Sequence, residues 1–276
     1  MTTRTPEQKT ARRRRLLRIA GGVVLALALV AAWVWQRTLP LERIEVVGAV
    51  HAPADEIVAL TRAVPDSVAL FSLSPALVAD RAQRHPWVAS ANVRRLPTGT
   101  LRIAVEERVP VMLVLDGAGR PSHFLDAQGF AMPVATATPA LADVPVLSGA
   151  PAYHPAQPVD SPNLRRFLAA LARADAPTQA LVSEVQWGRQ PTLWTTPVER
   201  HGSLPVRLDP AGDPADQLHR LRAFWDQAVL PRPDVRFAVV DLRFDGQVVT
   251  RETAPGLRAP GTPTDSTAAS AATPPA

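Results

Sequence analysis

The residues with the sharpest chemical implication are two adjacent carboxylates, Glu106 and Glu107, within LRIAVEERVPV. A pair of carboxyl groups on either side of a sugar–oxygen bond is the apparatus of glycoside hydrolysis. The local pattern argues against that use. Leu101, Ile103 and Val105 alternate with Arg102, Ala104 and Glu106, as in a half-buried strand, and neighbours on a strand point to opposite faces. Glu106 and Glu107 therefore cannot flank one bond. The six histidines (His51, His85, His123, His154, His201 and His219) show no close metal-ligand spacing and no HExxH. There is no GxSxG elbow and no phosphate-cradling glycine loop. Cysteine is absent, which excludes disulfides and thiolate chemistry. The expectation is a protein without catalytic residues, metal, cofactor or small-molecule substrate.

What remains is binding, and the charge pattern narrows the partner. Lys and Arg together number 30 against 25 Asp and Glu. The excess sits in residues 1–18, where Arg4, Lys9, Arg12, Arg13, Arg14, Arg15 and Arg18 face the single acid Glu7. The rest of the chain is near neutral, with no basic groove interleaved with aromatics, so nucleic acid is not an expected partner. Hydrophobic residues make up 46% of the 276, enough for a packed core, and the 29 prolines favour many short elements.

From Ile19 to Trp35 no residue is charged. Such a helix is roughly 26 Å long, slightly short of a hydrocarbon core of about 30 Å. Leu16 and Leu17 extend it if Arg18 snorkels to the interface. Trp33 and Trp35 stand at the far end, where indoles prefer to sit. The cluster Arg12 to Arg15 flanks the near end, and the positive-inside rule then places residues 1–18 in the cytoplasm, the span at 19–36, and the rest outside. A cleaved signal peptide, with Ala26-Leu27-Ala28 as its cleavage site, is the competing reading. The apolar run continues past that site, which favours an uncleaved anchor in the lipid bilayer.

Beyond the span the pattern reads strand, helix, helix, strand, strand. Ile44 and Val46 alternate with Arg43 and Glu45 up to Gly48, which calls for a positive φ or a close approach. Pro53 suits a first helical turn, with Ile57, Leu60, Thr61 and Val64 at helical spacing. Ser74-Pro75 reads as an N-cap and first residue, with Leu77, Val78 and Ala82 as the stripe, and His85-Pro86 stops that helix. Trp87, a core candidate, opens an extended stretch to Val93. Leu96-Pro97-Thr98-Gly99 is a turn, and Arg108-Val109-Pro110 marks a hinge. Two helices on one face of a small sheet is an α+β layer.

After Pro110 the chain turns β-rich, with turns at Asp116–Gly119 and Asp126–Gly129. Residues 131–162 read as irregular. Ser161-Pro162 opens a third helix, with Leu164, Phe167, Leu168 and Leu171 along one face. Strand-like stretches follow near 182–187, 192–196 and 206–208, and Asp213-Pro214 opens a fourth helix bearing Leu218, Leu221 and Trp225. Phe237 to Val240 reads as a buried strand, Asp245-Gly246 as a two-residue hairpin turn, and Gln247 to Arg251 as its return strand. The Pro/Ala/Thr-rich end, 252–276, reads as a disordered tail.

IEVVG at 44–48, HPWVASANVRRLPTGTLRIAVEERVPV at 85–111, FLDAQG at 124–129, VPVLSG at 144–149 and VDLRFDGQVV at 240–249, in this order behind one membrane helix, resemble the FtsQ/DivIB family of bacterial cell-division proteins. The loop Val64-Pro65-Asp66-Ser67 departs from relatives in lacking a glycine. The resemblance implies a POTRA domain over 41–108 (β-α-α-β-β, with Gly48, Pro86, Trp87, Arg94, Pro97, Glu107, Arg108 and Pro110 as its motif). A β domain over 109–251, with an antiparallel sheet and two helices, would follow. It implies a non-enzymatic scaffold at the septum that binds FtsB and FtsL, works with FtsW, FtsI, FtsK and FtsA, and helps control septal peptidoglycan synthesis. In the family the last strands pair with an FtsB strand by β-augmentation. The matching positions here are Arg243, Phe244, Asp245, Gly246, Gln247, Val248 and Val249. By period alone Phe244, which shares a face with Leu242, suits core and partner anchor equally. Arg243 faces away, towards a partner acid or solvent. The runner-up, a POTRA-bearing chaperone or translocation accessory, would carry repeated POTRA units or barrel strands, and neither pattern is seen.

Overall fold

A computed structural model describes residues 6–134, 143–152, 154–198 and 201–253, with side chains from Arg18 onward, Gln36 apart. The chain begins with one long helix, α1 (Pro6–Thr38). Among the described residues it contains one window apolar enough to cross a membrane, Arg18–Trp35, none of whose residues is buried. Beyond α1 run β1 (Arg43–Val47), α2 (Ala54–Thr61), α3 (Pro75–Ala82), β2 (Val88–Arg95) and β3 (Thr100–Glu107). Then come β4 (Met112–Leu115), β5 (Pro121–Leu125), β6 (Ala131–Pro133), β7 (Val146–Ser148), α4 (Pro162–Arg173) and α5 (Ala176–Leu181). The rest are β8 (Val182–Gln186), β9 (Thr192–Thr195), β10 (Pro205–Arg207), α6 (Pro214–Phe224), β11 (Phe237–Asp241) and β12 (Val249–Glu252). Two compact units emerge, one of residues 1–113, 121–143 and 151–160, the other of 114–120, 144–150 and 161–276.

In the first unit the expected β-α-α-β-β order is present. Its sheet runs β1-β3-β2, with β1 parallel and β2 antiparallel to the central β3. Leu101, Ile103 and Val105 of β3 are buried, as are Ile57, Val78 and Ala82 of the helices, because alternation on a strand and the helical repeat each put one apolar set on one side. Ser74 caps α3 by accepting from the Leu77 N–H. Gly48 has φ +89°, and a Cβ there would stand 2.3 Å from the Val105 carbonyl oxygen. Both reasons for a glycine therefore apply at this position. Leu60, Val64 and Leu77, placed on inward stripes by their spacing, are exposed instead. These helices are only eight residues each, so one narrow stripe suffices to cover a three-stranded sheet.

In the second unit six strands follow the order β12-β11-β10-β9-β8-β7. This sheet is mixed, not purely antiparallel: β7 pairs parallel with β8, and β10 parallel with β11. Parallel neighbours need a crossover. α4 and α5 make the first and α6 the second, so three helices stand where two were expected. α4 buries Leu164, Phe167, Leu168 and Leu171. A second cluster forms from Leu181, Leu204, Trp225, Val229 and Phe237. The stretch 131–162 is not wholly irregular, since it contains β6 and β7. Glu252, counted with the tail, is the last residue of β12, and the remainder of the expected tail, 254–276, lies outside the described residues.

Candidate functional site

The binding candidate near the C-terminus takes its shape from β11, β12 and α6. β11 and β12 pair antiparallel, with Val240 opposite Thr250 and Asp241 opposite Val249. β11 is half buried through Phe237, Val240 and Asp241, whereas Val249, Thr250, Arg251 and Glu252 are all exposed. β12 is the outermost strand of its sheet. Among the described residues its outer row of N–H and C=O groups has no strand beside it, which is what a sheet offers to another chain.

The seven residues assigned to this edge by the resemblance are not one strand. Arg243 to Val248 form the loop between β11 and β12, and only Val249 lies on β12. The expected turn is present within the loop, because the Gln247 N–H donates to the Phe244 carbonyl at 3.2 Å. Of its central pair only Gly246 has positive φ, +67°, which is the type II pattern rather than the twice-positive type I′ of a tight hairpin. Leu242 is buried, and Phe244, expected on the same face, is 51% exposed. Val249, the first residue of β12, is 44% exposed. Arg243 is not aimed outward for a partner acid. Its guanidinium donates to Asp241, with Nη2–Oδ2 2.6 Å and Nε–Oδ1 2.9 Å. The Arg243 hydrogen bond, outweighing burial and helped by the charges of Arg243 and Arg207, holds the Asp241 carboxyl below the usual range.

One residue that holds this loop escaped the sequence reading. Arg220 of α6, its side chain only 11% exposed, donates to three loop carbonyls: Phe244 at 2.8 Å, Gln247 at 2.6 Å and Leu242 at 3.2 Å. Asp216, one turn back, accepts from its Nε at 2.7 Å. The Asp216…Arg220 spacing is an ordinary i,i+4 helix pair, and it carries no sign that the arginine serves a loop more than twenty residues away.

The motif positions of the first unit are structural. Trp87 is buried, stacked on His51 at 4.8 Å and edge-on to Phe124 at 6.0 Å. Glu107 accepts from the backbone N–H groups of Val50, His51 and Ala52, and its Oε2 lies 2.8 Å from His51 Nδ1. Burial pushes its carboxyl up, but those bonds outweigh it and leave the carboxyl lowered. Glu106 points to the other face, towards the Ser90 hydroxyl, so the two carboxylates are separated as the alternation requires. Arg108, read as part of a hinge, is pinned: it donates to Asp126 at 2.7 Å and lies 4.1 Å from the Phe130 ring centroid. Arg94 is exposed on β2, Pro97 lies in the β2–β3 turn, and Pro86 follows α3. Ile19, Trp33 and Trp35 are exposed on α1. No cluster of three metal-ligating side chains occurs among the described residues.

The family model described as "POTRA domain, FtsQ-type" matches residues 39–108, the strand–helix–helix–strand–strand unit. A Rhodothermus marinus protein, "Cell division protein FtsQ", is 49% identical over 259 residues, covering 92% of this chain and 93% of that one. A Salinibacter ruber protein of the same name is 39% identical over 256 residues, 90% and 97% of the respective chains. One from Syntrophotalea carbinolica is 36% identical over 110 residues, 40% and 37%. With near-complete coverage of both chains at these identities, and the POTRA unit in its expected place behind one apolar helix, this chain belongs to the FtsQ family of cell division proteins.

Proposed function

We propose that the chain is a non-enzymatic scaffold of the division site, held in the cell membrane by α1 with its N-terminus in the cytoplasm and residues beyond about 38 outside. Its POTRA domain (41–108) and β domain (109–251) make protein contacts only. The β domain captures FtsB, in company with FtsL, by adding a strand of the partner to the outer edge of β12, and through that pair it influences septal peptidoglycan synthesis by FtsW and FtsI. FtsK and FtsA are further contacts that the family resemblance suggests. The observation that carries this reading is the exposed terminal strand β12 with Phe244 and Val249 uncovered beside it. Strand addition draws affinity from main-chain bonds and specificity from alternate side chains, and an exposed aromatic at the strand's entrance is a natural anchor. Asp245-Gly246 serves the turn.

The test is capture of the extracytoplasmic part of FtsB by the detergent-solubilised full chain. Phe244→Ala is the clean variant, because the residue is half exposed and is not part of the buried core. Capture should weaken at least about tenfold, or roughly 1.4 kcal/mol. Undiminished capture by a Phe244→Ala, Val249→Glu double variant would refute the assignment of β12. Charge reversal at Arg243 is a poorer test, since a carboxylate there would face Asp241 and disturb the loop itself.

A further inference from the structure

We infer that the 3₁₀ turn Leu70–Ser72, with Leu73 and Arg95, is a second lipid contact of this chain, a knuckle resting among the headgroups beside the exit of α1. This rests on α1 being the membrane span. The helix leaves no slack before the first exported unit. Its hydrogen bonding continues through Leu39, whose N–H donates to the Trp35 carbonyl at 3.0 Å. The next groups are already engaged: the Leu70 N–H donates to the Leu39 carbonyl at 2.9 Å, the Leu41 N–H to Val68 at 3.0 Å, and the Asp66 N–H to Leu41 at 2.8 Å. Pro40 and Ala69 bridge antiparallel between them.

That antiparallel pairing sets a direction. Residues 39 to 41 climb away from the helix end, so residues 66 to 70 descend towards it. Asp66 pairs at the far level and Leu70 at the near one, and the turn Leu70–Ser72 (LFS) reverses the chain beside the last turn of α1. At about 1.5 Å per residue, Leu39 stands only about 6 Å beyond Trp35. That depth falls inside a headgroup layer of about 5–7 Å on each side of the hydrocarbon. The chemistry of the knuckle suits that layer. Phe71 and Leu73 are only half buried, and Ser72 is exposed. Arg95 Nη1 donates to the carbonyls of Phe71 at 3.1 Å and Leu73 at 3.3 Å, with its guanidinium 5.1 Å from the Phe71 ring centroid. A half-exposed aromatic under an arginine repeats the pair at the helix exit, where Arg37 lies 4.2 Å over Trp33. Rings favour the interface, and guanidinium groups bind lipid phosphate.

The absence of cysteine makes the test direct. Single variants Ser72→Cys, Val50→Cys and Leu27→Cys of the full chain are spin-labelled and placed in phosphatidylethanolamine–phosphatidylglycerol vesicles. Accessibility to oxygen and to a water-soluble nickel chelate is then measured. Leu27 lies within α1 and reports the span, while Val50, 82% exposed, lies beyond the far end of β1 and reports bulk water. The expected result is a nickel accessibility at Ser72 several-fold below that at Val50, partly restored by Phe71→Ala with Arg95→Ala. A Ser72 label as accessible as Val50, with Leu27 in the hydrocarbon, overturns the knuckle alone. A Leu27 label open to the chelate overturns the span and the knuckle together.

Discussion

Asp66 shows how a short polar side chain can occupy the left-handed region that usually favours glycine. It holds φ at +61° in the loop Val64-Pro65-Asp66-Ser67. Short polar side chains visit that region at modest cost, whereas a β-branched residue does not. Asp66→Gly should leave thermal stability unchanged within about 0.5 kcal/mol, while Asp66→Val should cost about 1–2 kcal/mol; equal melting of the two variants would contradict the strain argument. Arg108–Asp126 carries a larger stake. Its side chains are 14% and 3% exposed, so Asp126→Ala strands a buried guanidinium and should cost about 3–5 kcal/mol in denaturant unfolding. Acid sensitivity follows from Asp241 and Glu107, whose carboxyls are both lowered in the folded chain. A lowered folded value means that the unfolded state binds protons first as pH drops. The stabilisation is therefore complete above the ordinary carboxylate range near about 4, and is lost as pH falls through that range towards the folded values. Melting of the solubilised chain should fall steeply below about pH 5, and Glu107→Gln should flatten part of the slope. A midpoint that stays level in acid would contradict this.

At the scale of elements, α6 governs whether the loop before β12 has a shape. Three carbonyls rest on the Arg220 guanidinium, and water can replace part of these bonds in a loop at the surface, so their loss is worth less than three separate charge-assisted bonds. Arg220→Ala should cost about 2–3 kcal/mol and accelerate amide exchange through 242–249 first; Arg220→Lys should not rescue it, because an ammonium cannot span three divergent carbonyls. Unaltered exchange in that loop would remove Arg220 from the site. This dependence also explains what was legible in the sequence. α3, α4 and α6 were readable because each starts with a Ser-Pro or Asp-Pro cap followed by an apolar stripe, and α4 buries all four residues of its stripe. α5 was not, since six residues hold too few turns for a period to show. β7, inside a proline-rich run, and the parallel joining of β10 to β11 depend on neighbours far along the chain. The turn at Asp245-Gly246 is legible, but the residues flanking it, 242–244 and 247–248, carry a local alternation that suggests strand and are loop instead, with three carbonyls of the segment held by the Arg220 guanidinium.

At the scale of the whole chain, one apolar helix, a POTRA unit and a mixed sheet ending in an exposed strand are the parts on which the proposed scaffold role rests. Several carboxylates that could suggest chemistry are engaged at loops, turns and strand ends: Glu107 with residues 50–52, Asp126 with Arg108, and Asp241 with Arg243. The unspent features are surfaces, namely the apolar flank of α1, the knuckle beside it, and the outer edge of β12 with Phe244 and Val249. The central claim is that the last of these receives a partner's strand. Hydrogen–deuterium exchange of the full chain, with and without the extracytoplasmic part of FtsB, tests it most directly. Strand addition to β12 should slow exchange in 249–252 on adding the partner and leave β1 to β3 little changed. Slowed exchange elsewhere, with β12 exchanging as fast as before, would contradict it.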